Sequence, residues 1–168
     1  MRFTVSHEFD APLDAVELAL LTPELHRRLQ RALARIESIE QLEHQLDGNV
    51  LHRVWRYRAD APIPAFARAA VTRDMLAWTE TSDYDRAAHA SRWVIDVPIK
   101  PEWRRLFRSD GTYRLDALPG GRTRRTVEGV VEIDVALVGA LGERLIIAEV
   151  KKTFDAEGET VREMATVR

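Results

Sequence analysis

Within the first third of the chain an acid, an imidazole and a guanidinium stand at Glu40, His44 and Arg53, and Trp55 and Tyr57 follow at every second position. Brought together, these groups could move a proton or hold the polar end of a bound molecule. Asp47-Gly48 lies between the two runs and reads as a hairpin turn, because both residue types tolerate positive φ. With those two residues as the loop, Leu46 pairs with Asn49 and His44 with Leu51. That register puts Ile36, Ser38, Glu40, Leu42 and His44 on one face with Leu51, Arg53, Trp55 and Tyr57. Arg53 then lies diagonal to Glu40, within reach of long side chains. The group reads either as an internal ion pair or as a polar anchor for a ligand. Glu37, Gln41, Glu43, Gln45, His52, Arg56 and Arg58 fall on the other face, which reads as solvent-facing, and a bulge at the turn would exchange the two.

Other chemistries find little support in the residue types. The chain has no cysteine, which removes disulfides, thiolate zinc sites and a cysteine nucleophile together. No two of His7, His26, His44, His52 and His89 are three or four apart, the spacing that would bring metal ligands onto one helix face. There is no serine–histidine–acid motif, and Gly139-Ala140-Leu141-Gly142 lacks the Gly-Lys-Ser/Thr ending of a phosphate loop. No cofactor is implied. Lys+Arg is 25 against Asp+Glu 27, a formal net charge of -2, which removes the broad basic field expected of a nucleic-acid binder. Trp55, Trp78, Trp93 and Trp103 are either core or binding aromatics.

The elements that must position these residues follow from periodicity. Phe3, Val5, His7 and Phe9 alternate with polar residues and predict a strand over 2–9. Pro12 and then Thr22-Pro23-Glu24 are helix-start signals, giving short helices over 12–21 and after 22, with a threonine cap for the second. Leu25, Leu29 and Leu33 form its apolar stripe. Arg27, Arg28, Arg31 and Arg35 lie opposite, as a solvated face or a contact for an anionic membrane surface. After the first hairpin, Ala61-Pro62-Ile63-Pro64 breaks the ladder, and residues 65–71 could form a helical turn. Residues 75–84 and 89–97 predict a second hairpin with Leu76, Trp78, Tyr84, Trp93, Ile95 and Val97 inward. Residues 111–115 and 123–135 predict a third, with Val127, Val131, Ile133 and Val135 inward. From 137 to 165 the period lengthens to that of a helix, with Leu141, Leu145, Ile146, Val150, Phe154 and Val161 on or near one stripe. With 168 residues, 45% of them apolar, the chain can bury these stripes in one α+β domain spanning 1–168. In that domain a curved antiparallel sheet wraps around the long C-terminal helix.

Two segments carry a family resemblance. Phe9-Asp10-Ala11-Pro12-Leu13-Asp14-Ala15-Val16 resembles the first strand passing into the first helix of the START-like, birch-allergen-like helix-grip superfamily (SRPBCC). Val131-Glu132-Ile133-Asp134-Val135-Ala136-Leu137-Val138-Gly139 resembles its last strand entering the last helix, most nearly in an uncharacterised bacterial branch. The resemblance implies a cavity between sheet and long helix that takes an apolar ligand such as a lipid, sterol or polyketide. Glu40, His44, Arg53, Trp55, Tyr57, Trp93, Ile95, Val131, Ile133, Val150 and Phe154 are the expected lining. Two alternatives remain open: a cyclase- or hydratase-type enzyme using His44, Glu40 or Tyr57, and an interaction module without a cavity. The polar alternation of residues 1–8 and the lack of ~18 consecutive apolar residues lead to the expectation of a soluble cytoplasmic protein.

Overall fold

A computed structural model of the chain describes residues 1–60, 62–65, 68, 72–99, 101–134 and 139–166, excepting the side chains of 101–103. Strand β1 (Arg2–Phe9) leads into helices α1 (Leu13–Leu21) and α2 (Pro23–Ala32). Six strands follow: β2 (Ile36–Asp47), β3 (Val50–Ala59), β4 (Ala77–Asp85), β5 (Ala90–Asp96), β6 (Phe107–Leu118) and β7 (Arg122–Ile133). Helix α3 (Gly139–Thr166) closes the order. Pro12 caps α1 and Pro23 opens α2, but the Thr22 hydroxyl makes no capping hydrogen bond. Two segments expected as strand or loop are 3-10 turns, Arg73–Leu76 and Pro101–Leu106. The expected helical turn at 65–71 lies largely outside the described residues, as do Val135, the start of the last helix at 137–138 and the Trp103 side chain. No helix among the described residues is long and apolar enough to cross a membrane.

All seven strands form one curved antiparallel sheet in the order β1-β7-β6-β5-β4-β3-β2. The first hairpin is wound differently from the expected register. Asp47 pairs with Val50, so Gly48 and Asn49 are the loop, with Gly48 at φ +56°, and His44 stands opposite Arg53. A bulge between Gln41 and Glu43 then exchanges the faces of the first half of β2, and a second irregularity lies between Ile36 and Ser38. Ile39 and Gln41, not Glu40, share a face with Tyr57 and Trp55, while Glu40 pairs with Arg56 on the outer face. On α2, Glu24 binds Arg27 and Arg28 at 3.1 and 3.0 Å and Arg31 at 4.0 Å, and Arg35 lies 3.9 Å from Glu149.

α3 is seated asymmetrically. Its backbone approaches β1, β7, α1 and α2 rather than β3, β4 and β5. Ile147, Gly158, Thr160 and Val161 are buried, with Ile146, Val150 and Phe154 packed on the cluster of Phe3, Val5, Trp93, Val127 and Val131. Leu141 and Leu145, expected on that stripe, are exposed: 46% and 44% of their surface faces solvent. The helix comes close to β1 at Gly158, where a Cβ would lie 2.9 Å from the His7 ring. Arg125 fastens it. Its guanidinium, 1% exposed, donates to Glu157, to the Phe154 carbonyl at 3.0 Å and to His7 Nδ1 at 3.2 Å. His7 Nδ1 is therefore an acceptor, and its Nε2–H donates to Asp155 at 3.0 Å.

Under the other end of α3 the Trp93 ring lies across the facing pair Gly111 and Gly129. A Cβ at Gly111 would stand 2.2 Å from the Glu128 carbonyl oxygen and 2.4 Å from the indole, and the first of these is backbone that cannot swing aside. Replacing Gly111 by Ala should lower unfolding free energy by about 1–3 kcal/mol or more, measured by chemical denaturation. Unchanged stability would show that the strands can part at that point.

Candidate functional site

The part of the sheet away from α3 is built from the inner faces of β2 to β4, with β5 and β6 leading to the cluster under the helix. Alternation along β3 turns Leu51, Arg53, Trp55 and Tyr57 inward, all buried. Arg53 is 5% exposed, and its Nη1 donates to the Leu20 carbonyl at the end of α1, 3.1 Å away. Its Nε has no partner, and no carboxylate lies within ion-pair distance of it among the described residues. Trp55 Nε1, Trp93 Nε1, Ser82 Oγ and Tyr113 Oη are likewise buried without a hydrogen bond. Ring stacking holds the wall: His26 lies on Trp55 at 3.7 Å and Tyr57 on Trp78 at 5.3 Å.

Glu80 stands opposite Trp55 on β4, diagonal to Arg53 on the same face. Burial pushes its carboxyl up to about 7, against the pull of Arg53 and with the repulsion of Glu157. The side chain is nevertheless only half-buried, as are Ile95, Phe107, Tyr113 and Ile133. These groups are deeply placed yet keep some accessible surface, as groups around an interior space would. Burial also raises Tyr113, to about 12, and Tyr57. Burial and Arg53 keep His26 neutral, with its pKa lowered to about 3, and hold His44 below its usual value. Neither imidazole's Nδ1 has a partner. Beyond this space the Tyr84 hydroxyl donates to Glu17 at 2.5 Å, and Glu17 also meets His89 Nδ1 at 2.7 Å. His89 carries the positive φ, 51°, of a left-handed residue.

The residues expected to line a site divide in two. His44, Arg53, Trp55 and Tyr57 gather on β2 and β3. Trp93, Val131, Val150 and Phe154, with Ile95 and Ile133 at the margin, belong to the packed cluster under α3. Glu40 joins neither: the bulge turns it outward, where it meets Arg56 at 3.3 Å with 60% of its side chain exposed. Sequence reasoning missed Glu80, although it shares strand parity with Trp78 and Tyr84, which read as buried. It also missed His26, which lies three positions before Leu29 beside the apolar stripe of α2. Two concavities on the outer surface bring together mainly exposed charged side chains, around Asp83, Arg92 and Glu128 and around Glu24, Arg28 and Glu163. Among the described residues no three His, Asp or Glu side chains converge as metal ligands.

A curved seven-stranded sheet gripping one long C-terminal helix, with two short helices after the first strand, is the helix-grip fold. The chain belongs to the family described as Protein of unknown function (DUF2505), whose model matches residues 4–164. No curated protein matches it in sequence. Among solved structures it is similar to TTHA0849 from Thermus thermophilus, at 17% identity, TM-score 0.66, covering 98% of this chain and 97% of that one. It is similar to the Zhui aromatase/cyclase from a Streptomyces species, at 18% identity, TM-score 0.65, with 98% and 93% covered. It also resembles norcoclaurine synthase from Thalictrum flavum, at 12% identity, TM-score 0.63, with 100% and 88% covered. At these identities the likeness establishes the fold.

Two measurements check the electrostatics. In double-mutant cycles, Glu40 should couple weakly to Arg56, by about 0–1 kcal/mol as exposed pairs do, and not at all to Arg53. For His26, the unfolded state binds a proton near pH 6.5 that the folded state refuses until about 3. Its contribution is therefore whole above pH 6.5 and is lost as pH falls toward 3, on the order of 4 kcal/mol. Denaturation curves of His26→Phe, which keeps a ring on Trp55, should be flatter over that interval than those of the parent chain.

Proposed function

We propose that the space between β2–β6 and α3 reversibly binds a small, largely apolar organic molecule, lined by His44, Arg53, Trp55, Tyr57, Trp93, Ile95 and Ile133. Val131, Val150 and Phe154 form the packed floor beside it. One observation carries the reading: five polar atoms on the inner wall, those of Arg53, Trp55, Ser82, Trp93 and Tyr113, are buried with no partner in the protein. Buried polar groups are ordinarily hydrogen-bonded, and leaving each unmet costs about 1–3 kcal/mol. A guest with apolar bulk and a few polar atoms meets both the aromatic surface and these donors.

Glu80 supports a second reading. A carboxyl held near 7 beside a guanidinium is poised to give or take a proton at physiological pH. Two of the structural neighbours are an aromatase/cyclase and a synthase. Under this reading Glu80, rather than the outward Glu40, would act on a guest oriented by Arg53.

Native mass spectrometry of freshly purified protein should detect a lipid-sized or smaller adduct. A neutral environment-sensitive dye, N-phenyl-1-naphthylamine, should bind the folded chain and be displaced by the extracted guest. Absence of both adduct and dye binding would defeat the binding reading. A guest recovered unchanged favours carriage. Turnover that falls about 10²–10⁴-fold in Glu80→Gln while binding persists favours the enzyme.

A further inference from the structure

We infer that the guest of this site carries a carboxylate, which takes the place of the missing counter-ion of Arg53 beside Glu80, the acid diagonal to it on the same face. The inference rests on the binding reading and names the chemistry of its ligand. Among the described residues two arginines are buried, and they are not treated alike. Arg125 has Glu157 as its ion-pair partner at Nη1 and an imidazole and a carbonyl at Nη2, and only its Nε is left unmet. Arg53 is buried nearly as deeply and has one backbone carbonyl. A guanidinium cannot discharge itself by losing its proton, so a buried one requires an anion, and a planar carboxylate matches its fork.

The surroundings of Arg53 repeat the demand. From α2 and β2 come His26 and His44, each with an unpartnered Nδ1. From β6 comes the Tyr113 hydroxyl, unpartnered, from β4 the Ser82 hydroxyl, and from β3 and β5 the indole N–H groups of Trp55 and Trp93. Three of these unmet atoms, Arg53 Nε and the two indole nitrogens, can only donate, so their partner must be an acceptor. The acids that face the space are Glu80 from β4 and Glu157 from α3, and Glu157 is already committed to Arg125. Tyr57 and Tyr84 stay neutral under burial.

Glu80 is the group that makes binding depend on pH. An arriving carboxylate close to it is repelled by the ionised form and accepted by the protonated one, which can itself donate a hydrogen bond. Affinity is then greatest where Glu80 holds its proton and falls as pH rises through neutrality, with one proton taken up per guest in that range. His26 stays neutral there, and His44 is held below its usual value by burial and by Arg53.

Displacement of N-phenyl-1-naphthylamine by matched pairs tests this, with dodecanoate against dodecanol and 2-naphthoate against naphthalene-2-methanol, so that aliphatic and aromatic sources are distinguished. At pH 6 at least one acid should bind about tenfold or more tighter than its neutral counterpart. That preference should shrink by up to tenfold between pH 6 and 8.5, disappear in Arg53→Met, and become independent of pH in Glu80→Gln. Should Arg53→Met fail to fold, the Glu80→Gln comparison decides alone. Equal affinity of acid and alcohol in both pairs overturns the carboxylate inference and leaves the binding reading intact, as does a preference unaltered by pH in the parent chain. If the dye itself does not bind, the binding reading falls and this inference with it.

Discussion

The contact between Arg125 and Glu157 sets the position of everything else. A guanidinium with 1% exposure needs partners for its charge, and here a carboxylate, a carbonyl and an imidazole from α3 and β1 meet both Nη groups, leaving Nε unmet. Because Arg125 projects from β7, meeting it draws α3 onto the β1–β7 side of the sheet. Gly158 lets the helix come down against His7 at that place, where any larger residue would hold it off. The sheet has seven strands, and the backbone of the helix comes nearest to β1 and β7, at one end of their order, with side chains of β5 and β6 reaching the cluster beneath it.

That geometry gives the two buried arginines different tasks. Arg125 is a structural tie whose charge is matched within the chain. Arg53 is held in place by the end of α1 and presents the rest of its guanidinium to a wall of aromatic rings and unmet donors. Under the proposed function, a fixed cation beside Glu80 would make the interior sensitive to the charge of a guest. The aromatic stacks of His26 on Trp55 and Tyr57 on Trp78 brace that wall.

Much of the architecture was legible because it depends on periodicity. The alternation in Phe3, Val5, His7 and Phe9, the two proline starts and the lengthened period after Gly139 each report a local preference that the whole fold retains. Arg53, Trp55 and Tyr57 were readable as one face for the same reason. What sequence could not supply was the extra residue at Leu42, since a bulge leaves the residue types unchanged while exchanging the faces beyond it. Glu40 was misplaced on that account, and its pairing with Arg53 with it. Glu80 was passed over because an acid on a buried parity is read as surface until its strand neighbours are known. Leu141 and Leu145 fit a helical stripe, but the asymmetric seating of α3 leaves them outside.

The irregularities of β2 also bear on how copies of the molecule meet. This strand is the outer edge of the sheet, twelve residues long, and a flat edge of that length would offer its free amides and carbonyls to the edge of another molecule. Removing Leu42 would preserve the partners of the residues on either side of it, since Gln41 already faces Trp55 and Glu43 faces Val54. The bulge is therefore unnecessary for the pairing with β3, and what it adds is a kink in the open side. Together with the exposed acids Glu37, Glu40 and Glu43, that kink makes the edge a poor template for strand addition. The residue that exchanged the faces of β2 thus also interrupts the regular spacing of its open edge.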